Sequence, residues 1–174
     1  MKDYKTENIM IMNCSLDLAK SIVLFRKELT DRSPITIPGQ WPSYRFRSFL
    51  PFLIEDMEKE QDSPFHLWIL ADLINKMMVG DFLMYPSMRQ KGVAYLEVHY
   101  LSFKEERLYF KESLRLFLEY VMPQFKGRYD QVALEVQYTD HFKMELLKKF
   151  GFTLKKNDHP YLLWSYKVIK KEDK

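Results

Sequence analysis

The sequence predicts an α+β domain with a central mixed, mostly antiparallel seven-stranded sheet and four helices on both of its faces. Three observations lead there. Apolar residues change period repeatedly along the chain, from short β-branched or aromatic runs to stripes at spacings of three and four. Three such runs between Phe65 and Leu101 are separated only by tight turns, which makes a β-meander. A length of 174 residues, 47% hydrophobic and 29% charged, fits one compact domain over residues 1–174.

The same composition is too apolar for a disordered tail and too charged for a membrane span. Residues 1–7, Met-Lys-Asp-Tyr-Lys-Thr-Glu, have no apolar segment, so no membrane partner and a cytoplasmic location are expected. Cys14 is the only cysteine, which rules out an internal disulfide and a cysteine-based metal site. The 27 basic and 24 acidic residues leave a net charge of +3, scattered along the chain, which argues against a nucleic-acid partner.

A first strand is expected over residues 9–12. Leu18, Ile22, Phe25 and Leu29 then mark one helix, with Ser15 as its N-cap and Asp17 in its first turn. Residues 31–42 carry Pro34, Pro38, Gly39 and Pro42 and read as a loop long enough to face a substrate. Phe46, Phe49, Leu50, Leu53, Ile54 and Met57 give a second helix that Pro51 either kinks or begins. Strands over 65–72 and 77–85 are followed by a turn at 86–92 and a third strand over 93–101. A helix over 104–123 has the stripe Phe110, Leu114, Phe117, Leu118 and Val121 and ends at Pro123. Residues 132–136 form a short strand, and residues 139–150 a helix closed by Gly151. The closing hairpin uses 152–154 and 161–168 around Asn157-Asp158-His159-Pro160.

This order, a meander followed by helix, strand, helix and hairpin, resembles the GCN5-related N-acetyltransferase (GNAT) family and its acyl-CoA N-acyltransferase fold. The resemblance covers nearly the whole chain. It is carried by Val79-Gly80, by the strand-to-helix segment 97–118, and by Leu134-Glu135-Val136 running through Asp140 to Glu145-Leu146-Leu147-Lys148-Lys149-Phe150-Gly151-Phe152. It implies an enzyme that moves an acetyl group from acetyl-CoA, its cosubstrate, to a primary amine. The acceptor would be a small molecule or a protein N-terminus, attacked directly in a ternary complex without a metal, and a homodimer is compatible. A strand running into a helix N-terminus offers amides and a positive dipole end to a diphosphate. Here the backbone at Leu101, Ser102 and Phe103 would hold pantetheine. The diphosphate turn matches Arg107-Leu108-Tyr109-Phe110-Lys111-Glu112, with the family's arginine kept and both of its small residues replaced. Arg89-Gln90-Lys91-Gly92-Val93-Ala94 has a similar pattern but lies between strands and reads as a turn.

An amine attacks a thioester only as the free base, so some group must accept its proton. Tyr95, Glu97 and His99 alternate onto one face of their strand, a pattern that fits a site and equally a solvent-facing surface. The resemblance makes Glu97 the general base. Its usual tyrosine acid is replaced by Leu147, which leaves Tyr138 or Tyr161 for that role. Asp140 stands at the family's helix-leading Asn, as a cofactor contact or an N-cap. Trp41, Tyr44, Tyr95, His99 and His159 are assigned to the acceptor. The missing glycines and tyrosine motivate an alternative, a non-catalytic CoA-binding or protein-interaction module of the same fold. RNA binding, drawn from the basic bias, is a third.

Overall fold

The computed structural model describes residues 2–168. Eight strands form one sheet in the order β1-β2-β3-β4-β5-β6-β8-β7: β1 Tyr4–Lys5, β2 Ile9–Asn13, β3 His66–Asp72, β4 Met77–Pro86, β5 Val93–Tyr100, β6 Gln131–Gln137, β7 Thr153–Asp158 and β8 Tyr161–Lys167. The α-helices among the described residues are α1 Leu16–Leu24, α2 Arg26–Arg32, α3 Tyr44–Glu58, α4 Phe103–Leu116 and α5 His141–Lys149. The α+β class and the mixed sheet are as the sequence predicts, with eight strands and five α-helices in place of seven and four.

Each difference has a local cause. β1 is two residues long and pairs with β2 at Tyr4–Ile11 and Lys5–Met10, too short to show a period. The single helix expected from Leu18 to Leu29 breaks at Phe25, whose φ of −129° and ψ of 41° leave the helical region. α4 stops at Leu116 and passes through a π-turn, Phe117–Val121, into a 3-10 turn, Met122–Phe125. Pro123 cannot donate to the helical ladder, and the widened turn comes immediately before it. β7 runs from Thr153 to Asp158, longer than expected, while Phe152 is buried ahead of it. Gly151, at φ +84°, reverses the chain after α5, and the Phe152 amide returns to the Leu147 carbonyl at 2.9 Å.

The described residues cluster into two compact units, residues 2–83 with 98–116 and residues 84–97 with 117–168. In the first, α1 packs on α3 and α4 on β2. Phe46, Leu50 and Leu53 of α3 and Phe110 and Leu114 of α4 are fully buried. Tyr100 meets Phe110 edge to face at 6.4 Å, and its hydroxyl lies 2.5 Å from Ser113 Oγ. The second is built on β6, which pairs antiparallel with β8 over seven positions. The parallel ladder of β6 with β5 covers three, Val93–Gln131, Ala94–Val132 and Tyr95–Ala133.

Within the first unit, β5 crowds β4 at one point. A Cβ on Gly80 would stand 2.3 Å from the His99 carbonyl oxygen and 3.3 Å from Tyr100 Cα. Both neighbours are backbone and cannot rotate away. Gly80→Ala therefore forces the strands apart, and urea unfolding should show a loss of about 1–3 kcal/mol with an unchanged m-value.

Candidate active site

β5 presents polar residues between apolar ones, as its alternation requires. Ala94 and Leu96 are buried, Tyr95 and Glu97 are half-buried, and His99 is exposed. The Tyr85 hydroxyl on β4 donates to Glu97 Oε1 at 2.6 Å, and the Tyr85 and Tyr95 rings stack at 5.9 Å and 23°. The intervening turn sets this register. Ser87 Oγ accepts from the Arg89 and Gln90 amides, while the Ser87 amide donates to the Val93 carbonyl at 2.8 Å. Two rings and one carboxylate are thus ordered, and the phenol fixes the direction of the carboxylate.

A second carboxylate lies on β4. Asp81 is 2% exposed; its Oδ1 accepts from Ser43 Oγ at 2.7 Å and its Oδ2 from the Ser43 amide at 3.0 Å. Ser43 in turn caps α3 by accepting from the Phe46 amide at 3.1 Å. Asp81 Oδ2 also stands 3.7 Å from His99 Nδ1, whose side chain is 49% exposed. The imidazole therefore has a buried acid on one side and solvent on the other. Asp81 and Tyr85 were not among the expected site residues. An acid inside the apolar run 77–85 was the one local sign of Asp81.

The strand-to-helix junction corrects the expected diphosphate turn. Arg107–Glu112 lie inside α4, where amides bond to preceding carbonyls and cannot face an anion. Phe110 is in the core, and Glu112 accepts from Thr6 at 2.5 Å and from Asn8 at 3.4 Å. Tyr109 donates to Asp72 at 2.5 Å; burial, then that bond, pushes its phenol up to about 12. The Arg107 guanidinium lies 4.5 Å from the Phe103 ring centre, and Leu108 and Lys111 are exposed. The Leu101 amide is also engaged, with the Val79 carbonyl at 3.0 Å. α4 begins at Phe103 because Ser102 caps it. Ser102 Oγ accepts from the Lys104 and Glu105 amides at 3.2 and 3.4 Å, and its hydroxyl donates to the Glu105 carboxylate.

No family model and no curated protein matches the sequence. Solved structures do match it. The dodecameric spermidine N-acetyltransferase of Vibrio cholerae superposes with a TM-score of 0.60 at 12% identity, covering 94% of this chain and 95% of that one. The ribosomal-protein-S5-alanine acetyltransferase of Vibrio fischeri gives 0.56 at 10% identity over 99% and 100%. FdhC, a nucleotide-linked sugar GNAT in its apo form, gives 0.58 at 11% identity over 95% and 90%. The chain has the GNAT fold.

Within the GNAT fold, Asp140 is the N-cap of α5. It accepts from the Lys143 amide at 3.1 Å and has the Lys143 ammonium 3.4 Å away. The Tyr138 and His159 rings meet at 4.6 Å, tilted by 36°, and the Tyr138 amide donates to the Pro160 carbonyl. Tyr161 opens β8 opposite Gln137, so Tyr138, His159 and Tyr161 gather at one end of the β6–β8 ladder. Tyr44 is exposed at the start of α3. Trp41 is not the exposed wall that the loop composition suggested, since only 1% of it is accessible. It anchors the loop under Arg26, whose Nη2 donates to the Trp41 carbonyl at 2.6 Å and the Pro38 carbonyl at 2.9 Å.

Among the described residues no group of three or more His, Cys, Asp or Glu is arranged to hold a metal ion, and no helix is long and apolar enough to cross a membrane. Cys14, the one thiol, is 1% exposed, and burial pushes it up to about 12. It is protonated at neutral pH and offers no nucleophile for an acyl-cysteine intermediate. A thiol reagent at pH 8 should label the native chain roughly a thousandfold more slowly than the chain in urea. Equal rates would show the thiol to be accessible.

Proposed function

We propose that this chain is an N-acetyltransferase that moves the acetyl group of acetyl-CoA to a primary amine by direct attack. The observation that carries the reading is Glu97 of β5, held by the Tyr85 phenol of β4, on a strand whose ladder with β6 stops at Tyr95. The fold supports it, and the acetyltransferases of the same fold named above provide the precedent.

In this reading Glu97 takes a proton from the acceptor ammonium, directly or through a water. The free amine then attacks the thioester carbonyl. A C–N bond forms, the C–S bond breaks, the leaving thiolate receives a proton from Tyr138 or Tyr161, and the proton shed by the new amide nitrogen passes through water to restore that tyrosine. The β5 edge beyond Tyr95 would take the amides of the extended pantetheine arm. Tyr95 and His99 would face the acceptor, with Tyr44 and His159 as further contacts. A diphosphate at the start of α4 would replace Ser102 Oγ as acceptor for the Lys104 and Glu105 amides, with the Lys104 ammonium beside it. The donors fit an anion, and the first-turn acids Glu105 and Glu106 weaken their hold.

That occupied helix start favours a second reading, a GNAT-fold module that binds a partner without transferring an acetyl group. Melting curves with acetyl-CoA and a free-thiol assay over an amine panel separate the two. The enzyme should show a melting temperature that rises with acetyl-CoA and should release thiol when an amine is added. Glu97→Gln should lower kcat by about 10²–10⁴ while the acetyl-CoA shift persists. A shift without thiol release leaves the module, and an unchanged rate in Glu97→Gln removes Glu97 from the chemistry.

A further inference from the structure

The unit of residues 2–83 and 98–116 contains a cavity that the transfer reading leaves without a role. It is open to solvent and has a volume of about 610 Å³, within the range of about 300–1,000 Å³ that small-molecule pockets occupy. Its apolar lining includes Met12 of β2, Leu18 of α1, Phe25 at the joint of α1 and α2, Leu29 of α2, Ile35 and Met78 of β4. Ser21, Glu28 and Arg32 supply polar atoms on the helical side.

The walls are built rather than incidental. The Thr36 amide donates to the Lys76 carbonyl at 2.7 Å and the Met78 amide to the Thr36 carbonyl at 3.0 Å, which bonds the segment after Ile35 to the start of β4. Ser33 Oγ donates to the Ile35 carbonyl at 2.7 Å. On the other side, Arg26 fastens the first residue of α2 to Pro38 and Trp41. The helix break at Phe25 turns α2 away from α1 and leaves that ring 54% exposed beside Val23 and Leu24, at 48% and 64%. Three consecutive exposed apolar side chains, one of them Phe25 on the cavity wall, are costly to leave facing water.

The charges say what belongs there. The Glu28 side chain is on the lining and makes no ion pair or hydrogen bond among the described residues. An ammonium can pair with it, while the surrounding apolar surface rejects a second charge deep in the cavity. Met12 and Met78 adapt to irregular apolar shapes. We propose that this cavity takes the apolar body of an amphipathic primary amine, with its ammonium drawn to Glu28. The class that fits is aryl-alkyl and medium-chain alkyl amines rather than polyamines or sugars, bound apart from the transfer chemistry at Glu97. Arg32 on the same wall would also accept a carboxylate, so the amine is tested with and without one.

Calorimetry on the whole chain without acetyl-CoA, using 2-phenylethylamine, hexylamine, phenylalanine and spermidine as probes, reads the cavity independently of catalysis. The two apolar amines should bind at least about tenfold more tightly than spermidine. Ser21→Phe, which fills the cavity, should weaken 2-phenylethylamine about tenfold and leave the acetyl-CoA melting shift intact. Glu28→Gln, at an exposed position with no partner to lose, should weaken the amines severalfold and preserve folding. Spermidine binding as tightly as hexylamine overturns the proposal, as does equal 2-phenylethylamine binding to the parent chain and a folded Ser21→Phe. Tighter binding of phenylalanine than of 2-phenylethylamine moves the class to amino acids and overturns it as well. Apolar amines that bind to a chain indifferent to acetyl-CoA would keep the cavity's ligand and end the transfer reading instead.

Discussion

Asp81 is a carboxylate removed from water, and much of the first unit is arranged around satisfying it. Burying an ionised acid costs several kcal/mol unless its oxygens find donors. Two come from one residue, Ser43, through its amide and its hydroxyl. The same hydroxyl oxygen accepts from Phe46, so the start of α3 is fixed on β4 by the group that neutralises the burial. Trp41 and Pro42 immediately precede Ser43, and Arg26 grips the Trp41 carbonyl. The segment from α2 to α3 is therefore pinned at both ends.

The consequences reach β5 by a different route. His99 stands beside Asp81, and its carbonyl occupies the space a side chain on Gly80 would need. Close approach of the two backbones and the acid–imidazole contact are two results of one strand pairing. Glu97, two residues earlier, is ordered by Tyr85 instead. Neighbouring polar residues of one strand face thus receive their orientation from separate partners, an acid for one and a phenol for the other.

Features set by local period were legible in the sequence. The meander, the apolar stripe of α3, β6 and α5 follow from spacing and caps, and so does the shared face of Tyr95, Glu97 and His99, while the start of α3 at Ser43 does not. What escaped was set by contacts distant in sequence or by changes that keep the pattern intact. The stripe Leu18, Ile22, Phe25 and Leu29 continues unbroken through the residue where the chain leaves the helix. The Ser43–Asp81 bond joins residues 38 apart, beyond any local pattern. The diphosphate register was aligned on one arginine after its glycines were gone, although Ser102 with Glu105 three residues on is a capping signature that marks the true start of α4.

A helix start that caps itself changes where binding strength must come from. In a glycine-lined turn the amides wait unpaired, and an anion gains their full attraction. At Ser102 an anion would displace a hydroxyl acceptor and sit beside Glu105, so the exchange returns little free energy. Any thioester that binds must draw its affinity from the strand edge and from cations such as Lys104. Proteins of this fold named for spermidine, ribosomal protein S5 and a nucleotide-linked sugar share the scaffold at 10–12% identity, so the fold alone does not fix a substrate. In this chain the break at Phe25 leaves a preformed apolar cavity beside α2.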